Sequence, residues 1–217
     1  MKEHKSISIA DQVFAQIEND ILSGKYPKGE VLSELRLSSE LGVSRTPIRE
    51  AVRSLQQEQL LEESGKGSIV RGISLEDTLD MYDIRLSVES EAAKRAAARI
   101  SDEELKQMRD ILDLQRFYIE KTEGDYTEKI RNLDSSFHEL LYKCSGSGVY
   151  CNILSGLHRK ISKFRRVSIS KHGRAVKSLE EHEAIYRALK EHNTSEAERL
   201  ARLHVQNARN SMAEMEK

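Results

Sequence analysis

Tryptophan is absent from this 217-residue chain, and cysteine is nearly so, with only Cys144 and Cys151. Two cysteines build no disulfide framework, so both are expected as reduced thiols without a structural role. Proline occurs only twice, which leaves long stretches free to be helical. No apolar run approaches the roughly 18 residues of a membrane helix, and the opening MKEHKSISIA has no apolar signal core. The chain is therefore expected to be cytoplasmic and to have no membrane partner. Positive charge is not in excess either: 35 Lys and Arg face 36 Asp and Glu. That balance excludes a surface that binds polyanions everywhere, so any nucleic-acid site must be local.

What is abundant is Leu, Ala, Glu, Lys and Arg, the makeup of a mostly helical protein. From Ser8 to Ser23, Ile9, Val13, Ile17, Ile21 and Leu22 recur at helical spacing, and Gly24, Pro27 and Gly29 end the run. A second short helix is expected from Ser33, with Leu35 and Leu41 turned inward. Gly42 and Val43 then form a tight turn, and Ser44 is a suitable N-cap for a third helix. Pro47 falls in the first turn of that helix, where backbone N–H groups have no intrahelical partner. Proline starts the helix here and does not break it.

Beyond Pro47, Ile48, Ala51, Val52 and Leu55 mark a buried stripe, while Arg45, Arg49 and Arg53 form a cationic one displaced by roughly 110°. One reading is a solvated helix with ordinary surface arginines. The other is a recognition helix, whose first-turn Ser44, Arg45 and Thr46 reach phosphates and base edges. Two short apolar stretches, Leu60-Leu61 and Ser68 to Val70, flank a turn at Ser64 to Gly67. Three helices followed by a hairpin make a winged helix-turn-helix, with Lys66 at the wing tip meeting the DNA backbone or minor groove. Residues 1 to 72 carry ten Lys/Arg against eleven Asp/Glu, so the arginine stripe works against a neutral background, which argues for a dimer that doubles the contacts.

The stretches IENDILSGKYPKGEVLSE, LSSELGVSRTPIREAV and LEESGKGSIVRG resemble the N-terminal domain of GntR-type transcription factors. The resemblance implies a homodimer that binds a palindromic operator in double-stranded DNA. It places Arg45, Thr46, Arg49 and Gly67 on the family's contact positions. The arginine that the family carries two residues before Leu37 is replaced by Leu35, with Arg36 next to it as the substitute contact.

From residue 74 the pattern is helical throughout, giving domains at 1–73 and 74–217. A long segment from Leu75 with Leu79, Tyr82 and Leu86 has Ser74 as its cap, and Ser101 with Glu104 forms a capping-box pattern. Further helices are expected over roughly 125–144, 149–169, 174–192 and 195–216. The fold class is mainly α: a winged helix-turn-helix followed by an antiparallel bundle of six helices.

Within the bundle, Asp134 and His138 stand four apart on one helical face with Leu133, Phe137 and Leu141. Inward-facing His182 and His204 lie on later helices. Three imidazoles and a carboxylate suit a first-row transition metal and leave coordination positions open. On spacing alone, an Asp-His pair or isolated histidines satisfied by hydrogen bonds is the favoured reading. His4, His158, His172 and His192 belong to no such pattern and are expected at the surface, and the basic run from His158 to Arg174 is expected to be a solvated helix.

The segments YDIRLSVESEAAKRAA, DSSFHELLY, EEHEAIYRAL and ARLHVQNAR resemble the FCD ligand-sensing domain of FadR-subfamily GntR regulators. This resemblance puts Asp134, His138, His182 and His204 on metal-ligand positions, with zinc first and nickel, manganese or cobalt as alternatives. It implies a small carboxylate effector beside the metal, clamped by Arg85 or, on a later helix, Arg165. The expected function is a ligand-responsive repressor, not an enzyme. Two alternatives remain: a sensor whose signal is the metal itself, and a metallohydrolase using Glu139 or Glu183, which adjoin the ligands but point about 100° away.

Overall fold

The computed structural model describes residues 8–121, 124–164 and 172–214. The chain divides into two compact units, Met1–Ser74 and Leu75–Lys217.

The first unit opens with α1 (Ile9–Leu22), whose cap Ser8 exchanges hydrogen bonds with Asp11 in a capping box. Strand β1 (Val31–Leu32) leads into α2 (Glu34–Leu41), which ends on Gly42 in the left-handed conformation (φ +66°) that glycine adopts without strain. Helix α3 (Arg45–Gln57) follows, then β2 (Leu61–Ser64) and β3 (Gly67–Val70), joined by the exposed two-residue turn Gly65-Lys66. Ile17, Leu37, Ile48, Ala51, Leu55 and Leu60 form the centre of one apolar core.

Three details differ from the sequence-based expectation. Leu35 is 70% exposed and Leu37 is the residue buried from α2, because the two stand about 200° apart on a helix and only one of them can face inward. Strand β1 was not expected; at two residues it carries no periodicity, and it exists through its antiparallel pairing with β3, Val31 to Ile69 and Leu32 to Ser68. The wing is thus a three-stranded sheet of order β1-β3-β2. Ser44 occupies the N-cap of α3, but its side chain makes no capping hydrogen bond, which leaves the hydroxyl unengaged there.

The second unit holds α4 (Leu75–Ala97), α5 (Asp102–Glu120), α6 (Thr127–Cys144), α7 (Gly148–Phe164), α8 (His172–Lys190) and α9 (Thr194–Ala213). Ser101 and Glu104 close the capping box that starts α5, and Asn193 caps α9 by accepting from the N–H of Glu196. Helix α4 is central, packing against α6, α7, α8 and α9. Its C-terminal half makes this possible: Ala92, Ala93, Ala96 and Ala97 are fully buried, and small side chains let neighbouring helices approach closely. A helix so enclosed also buries whatever polar residues it carries, and α4 buries Arg85 and Glu89. No helix among the described residues is long and apolar enough to cross a membrane.

A buried histidine centre and an arginine groove

Four histidines meet inside the bundle. His138 on α6, His182 on α8 and His204 on α9 each bring one ring nitrogen within 4.8 Å of the others, and all three side chains are buried. Asp134, one turn before His138, places Oδ1 3.9 Å from Nε2 of His182 and accepts a hydrogen bond from Ser178. Three of the four sequence-predicted metal positions, the histidines, therefore come together, with Asp134 beside His182. His158 on α7 joins them, contrary to the expectation of a surface position: it is 3% exposed, with its ring centroid 4.6 Å from that of His138. The surface expectation rested on His158 lying outside the ligand pattern, yet in α7 the stripe Leu154, His158 and Ile161 turns inward while Arg159 and Lys160 do not. Inward spacing at i, i+4 and i+7 was the signal that would have found it.

Each histidine is held differently. Nδ1 of His204 is 2.6 Å from Oε2 of Glu181, and that carboxylate also accepts two hydrogen bonds from Arg174 and one from Asn207. Nδ1 of His138 stands 3.0 Å from Oε1 of Glu89. Glu89 in turn accepts from Arg85 Nε at 2.7 Å, Arg85 Nη2 at 3.1 Å and the Tyr142 hydroxyl at 2.8 Å. Two His-Glu-Arg chains thus converge on the centre. In metal sites a carboxylate on the outer ring nitrogen fixes the tautomer and leaves the inner nitrogen free to coordinate. Among the described residues His182 has no carboxylate on its outer side: it stacks on Phe137 at 4.1 Å, and both of its ring nitrogens are buried without a hydrogen-bond partner there.

The electrostatics favour neutral rings at His158, His182 and His204. Burial first, then His204, pushes His182 well below the ordinary histidine range. Burial and His138 do the same to His158, and burial lowers His204 against the opposing pull of Glu181. Neutral imidazoles are the form that ligates metals. Burial alone would raise Glu181, but its hydrogen bonds from His204 and Arg174 hold it at about 2. Burial likewise works against ionised Glu89, yet Arg85 and His138 outweigh it and keep the carboxyl well below its usual range. Arg85, expected to clamp an effector, is fully buried beside this centre, and its Nη1 has no hydrogen-bond partner among the described residues. Arg165, the second candidate clamp, lies outside the described residues. Glu139 is exposed, and Glu183 is tied to Arg109 and Arg116, so neither is placed to act as a base at the histidines.

In the first unit, α2, α3 and the wing surround a groove of about 440 Å3, lined among others by Glu34, Leu35, Arg45, Arg49, Arg53 and Gly67. Ser44, Arg45, Thr46 and Arg49 are exposed at the start of α3, and Lys66 is exposed at the wing tip. Gly67 is half-buried, and Arg36 is exposed. Its guanidinium is engaged by Glu30 at 2.7 Å and Glu40 at 2.6 Å, so two carboxylates already occupy the residue expected to compensate for Leu35. Arg45 and Arg49 both pair with Glu34.

Comparison with known proteins agrees with this anatomy. Residues 9–70 match the family "Bacterial regulatory proteins, gntR family" and residues 80–207 match the FCD domain. The HTH-type transcriptional regulator YdhC of Bacillus subtilis is 31% identical over 86% of this chain and 83% of its own length. The HTH-type transcriptional repressor RspR of Escherichia coli is 27% identical over 95% and 90%. Among solved structures, E. coli McbR/YncC has the same fold, with a TM-score of 0.79 at 19% identity over 98% of this chain and 100% of that one. The two sequence relatives are named as transcriptional regulators, and with the FCD match spanning more than half of the chain, this protein belongs to the GntR family of transcriptional regulators, in its FCD-containing branch.

Proposed function

We propose that the protein is a repressor whose grip on a palindromic operator is set by a small organic acid bound beside a divalent transition metal in the bundle. Asp134, His138, His182 and His204 hold the metal, and the bound cation supplies an electrophilic anchor for a carboxylate. One observation carries this reading: His182 is fully buried, and its two ring nitrogens have no hydrogen-bond partner among the described residues. A buried polar atom without a partner costs roughly 1–3 kcal/mol, a cost that a metal ion removes.

Charge supports the effector class. Around the centre, Asp134, Glu89 and Glu181 contribute three negative charges and Arg85 and Arg174 two positive ones, a net of one negative. A divalent cation turns that into one positive, which a single carboxylate neutralises, with Nη1 of Arg85 as a free donor. Arg45, Thr46, Arg49, Ser44, Lys66 and Gly67 form the operator surface, and a homodimer supplies two such surfaces for the two half-sites. Effector and operator are then linked by a coupling free energy and influence each other reciprocally.

Elemental analysis of the purified protein tests the metal, with about one ion per chain expected and none in a His182→Ala, His204→Ala double variant. Operator titrations with and without a panel of small carboxylates test the effector. Full metal occupancy in the double variant overturns the ligand set. Operator affinity that follows the metal, with no response to any carboxylate, favours instead a sensor whose signal is the metal.

A further inference from the structure

Glu34 occupies the first helical position of α2, where the helix dipole favours a negative charge. Its contacts go beyond that local role. Oε1 accepts from Nε of Arg49 at 3.1 Å, and Oε2 accepts from Nη2 of Arg49 at 3.1 Å and from Nη2 of Arg45 at 3.2 Å. The pairing with Arg49 uses the side edge of the guanidinium. It leaves the end edge, Nη1 and the second proton of Nη2, available as the donor pair that fits O6 and N7 of a guanine. Arg45 is held at a single point. The arginine side chains are 60% and 53% exposed and that of Glu34 only 28%, so the carboxylate is the fixed member and the arginines are the ones directed.

Ion pairs this exposed add little to stability. Their effect falls on conformation, because a long side chain already fixed by one edge loses less freedom when its other edge binds. A carboxylate in an arginine-lined groove also repels phosphates, and phosphates are what sequence-independent binding depends on. The two effects act in the same direction, towards discrimination.

We infer that Glu34 is a positioning residue for operator reading: it holds Arg49 by one edge so that the other meets a guanine, and it weakens binding that relies on phosphates alone. This rests on the reading that α3 enters the major groove, and the experiment separates the two.

A preferred duplex is selected from a random library with the wild-type protein. Fluorescence anisotropy then measures affinity for that duplex, for versions with each base pair replaced, and for a random duplex, at one fixed salt concentration. Glu34→Gln keeps the shape of the side chain and removes its charge. It is expected to bind random DNA more tightly and to lower the ratio of selected to random affinity about tenfold. The preference lost should lie at the same base pair that Arg49→Ala relaxes. An unchanged ratio in Glu34→Gln, or relaxation at a base pair that Arg49→Ala leaves intact, overturns the proposal while operator reading by α3 stands. A wild-type protein that prefers no sequence overturns both. A loss of all binding in Glu34→Gln with an unaltered melting transition overturns the discriminating role, since the carboxylate would then serve affinity itself.

Discussion

Replacing Glu89 by Gln should destabilise the bundle by about 3–5 kcal/mol, the cost of leaving a buried charge uncompensated. The structure explains why the value belongs at that level. Glu89 and Arg85 are each 1% exposed, and Glu89 receives both the Nε and the Nη2 hydrogen bonds of Arg85. Without the carboxylate, a guanidinium with one nitrogen already unpartnered loses its counter-charge in a setting that water does not reach. The Tyr142 hydroxyl loses its charged acceptor as well. For a protein of this size each kcal/mol corresponds to roughly 2–4 °C in Tm, so the transition should fall by roughly 6–20 °C. Melting is followed by circular dichroism at 222 nm with a chelator present, so that metal binding does not contribute to the difference. A double variant, Arg85→Met with Glu89→Leu, removes both charges and should recover most of the loss. A loss under about 1 kcal/mol in the single variant, or a double variant no more stable than the single one, refutes the claim that this pair is held together by the absence of solvent.

Three further outcomes follow from the geometry. Arg45→Ala should weaken operator binding by about 1–3 kcal/mol and blur base preference, and unchanged affinity in a titration would remove Arg45 from the contact set. Glu181→Gln replaces the acceptor 2.6 Å from Nδ1 of His204 and should weaken metal affinity roughly 10–100-fold in competition with a chromogenic chelator; equal affinity would show that His204 needs no carboxylate to orient it. Burial, followed by Glu104, pushes the Cys144 thiol up to about 12. At pH 8 only about one part in 10⁴ is then thiolate, so a disulfide reagent should modify half-buried Cys151 first, and rapid reaction of two thiols in the native protein would contradict this.

Much of this molecule was legible from side-chain spacing. The stripe Ile48, Ala51, Val52 and Leu55 announced the inner face of α3, and the Ser101 and Glu104 pair marked the start of α5, because capping and amphipathic spacing are local properties of the sequence. Asp134 and His138 could be placed on one face for the same reason, whereas their convergence with His182 and His204 came from family resemblance and not from spacing. What stayed hidden depends on partners distant in sequence. Strand β1 exists only because β3 pairs with it, and Glu181 reads as one more charge in the acidic run Glu180 to Glu183 until α9 brings His204 and Asn207 to it. His158 was misplaced because it matched none of the expected ligand positions, while the inward row in which it sits contains one histidine and two aliphatic residues.

Gly67 adopts φ +141°, and a Cβ at that position would lie 2.6 Å from the carbonyl oxygen of Leu32. Any side chain there would push β3 away from β1, and with it the strand that leads directly into α2. A genetic screen for loss of repression would therefore recover Gly67 variants readily, and the same would hold for a glycine that never came near DNA. Phenotype alone would record this position as a DNA contact, while the backbone gives an architectural reason for the defect. Assigning such variants correctly requires the melting curve of the isolated mutant protein alongside the repression assay.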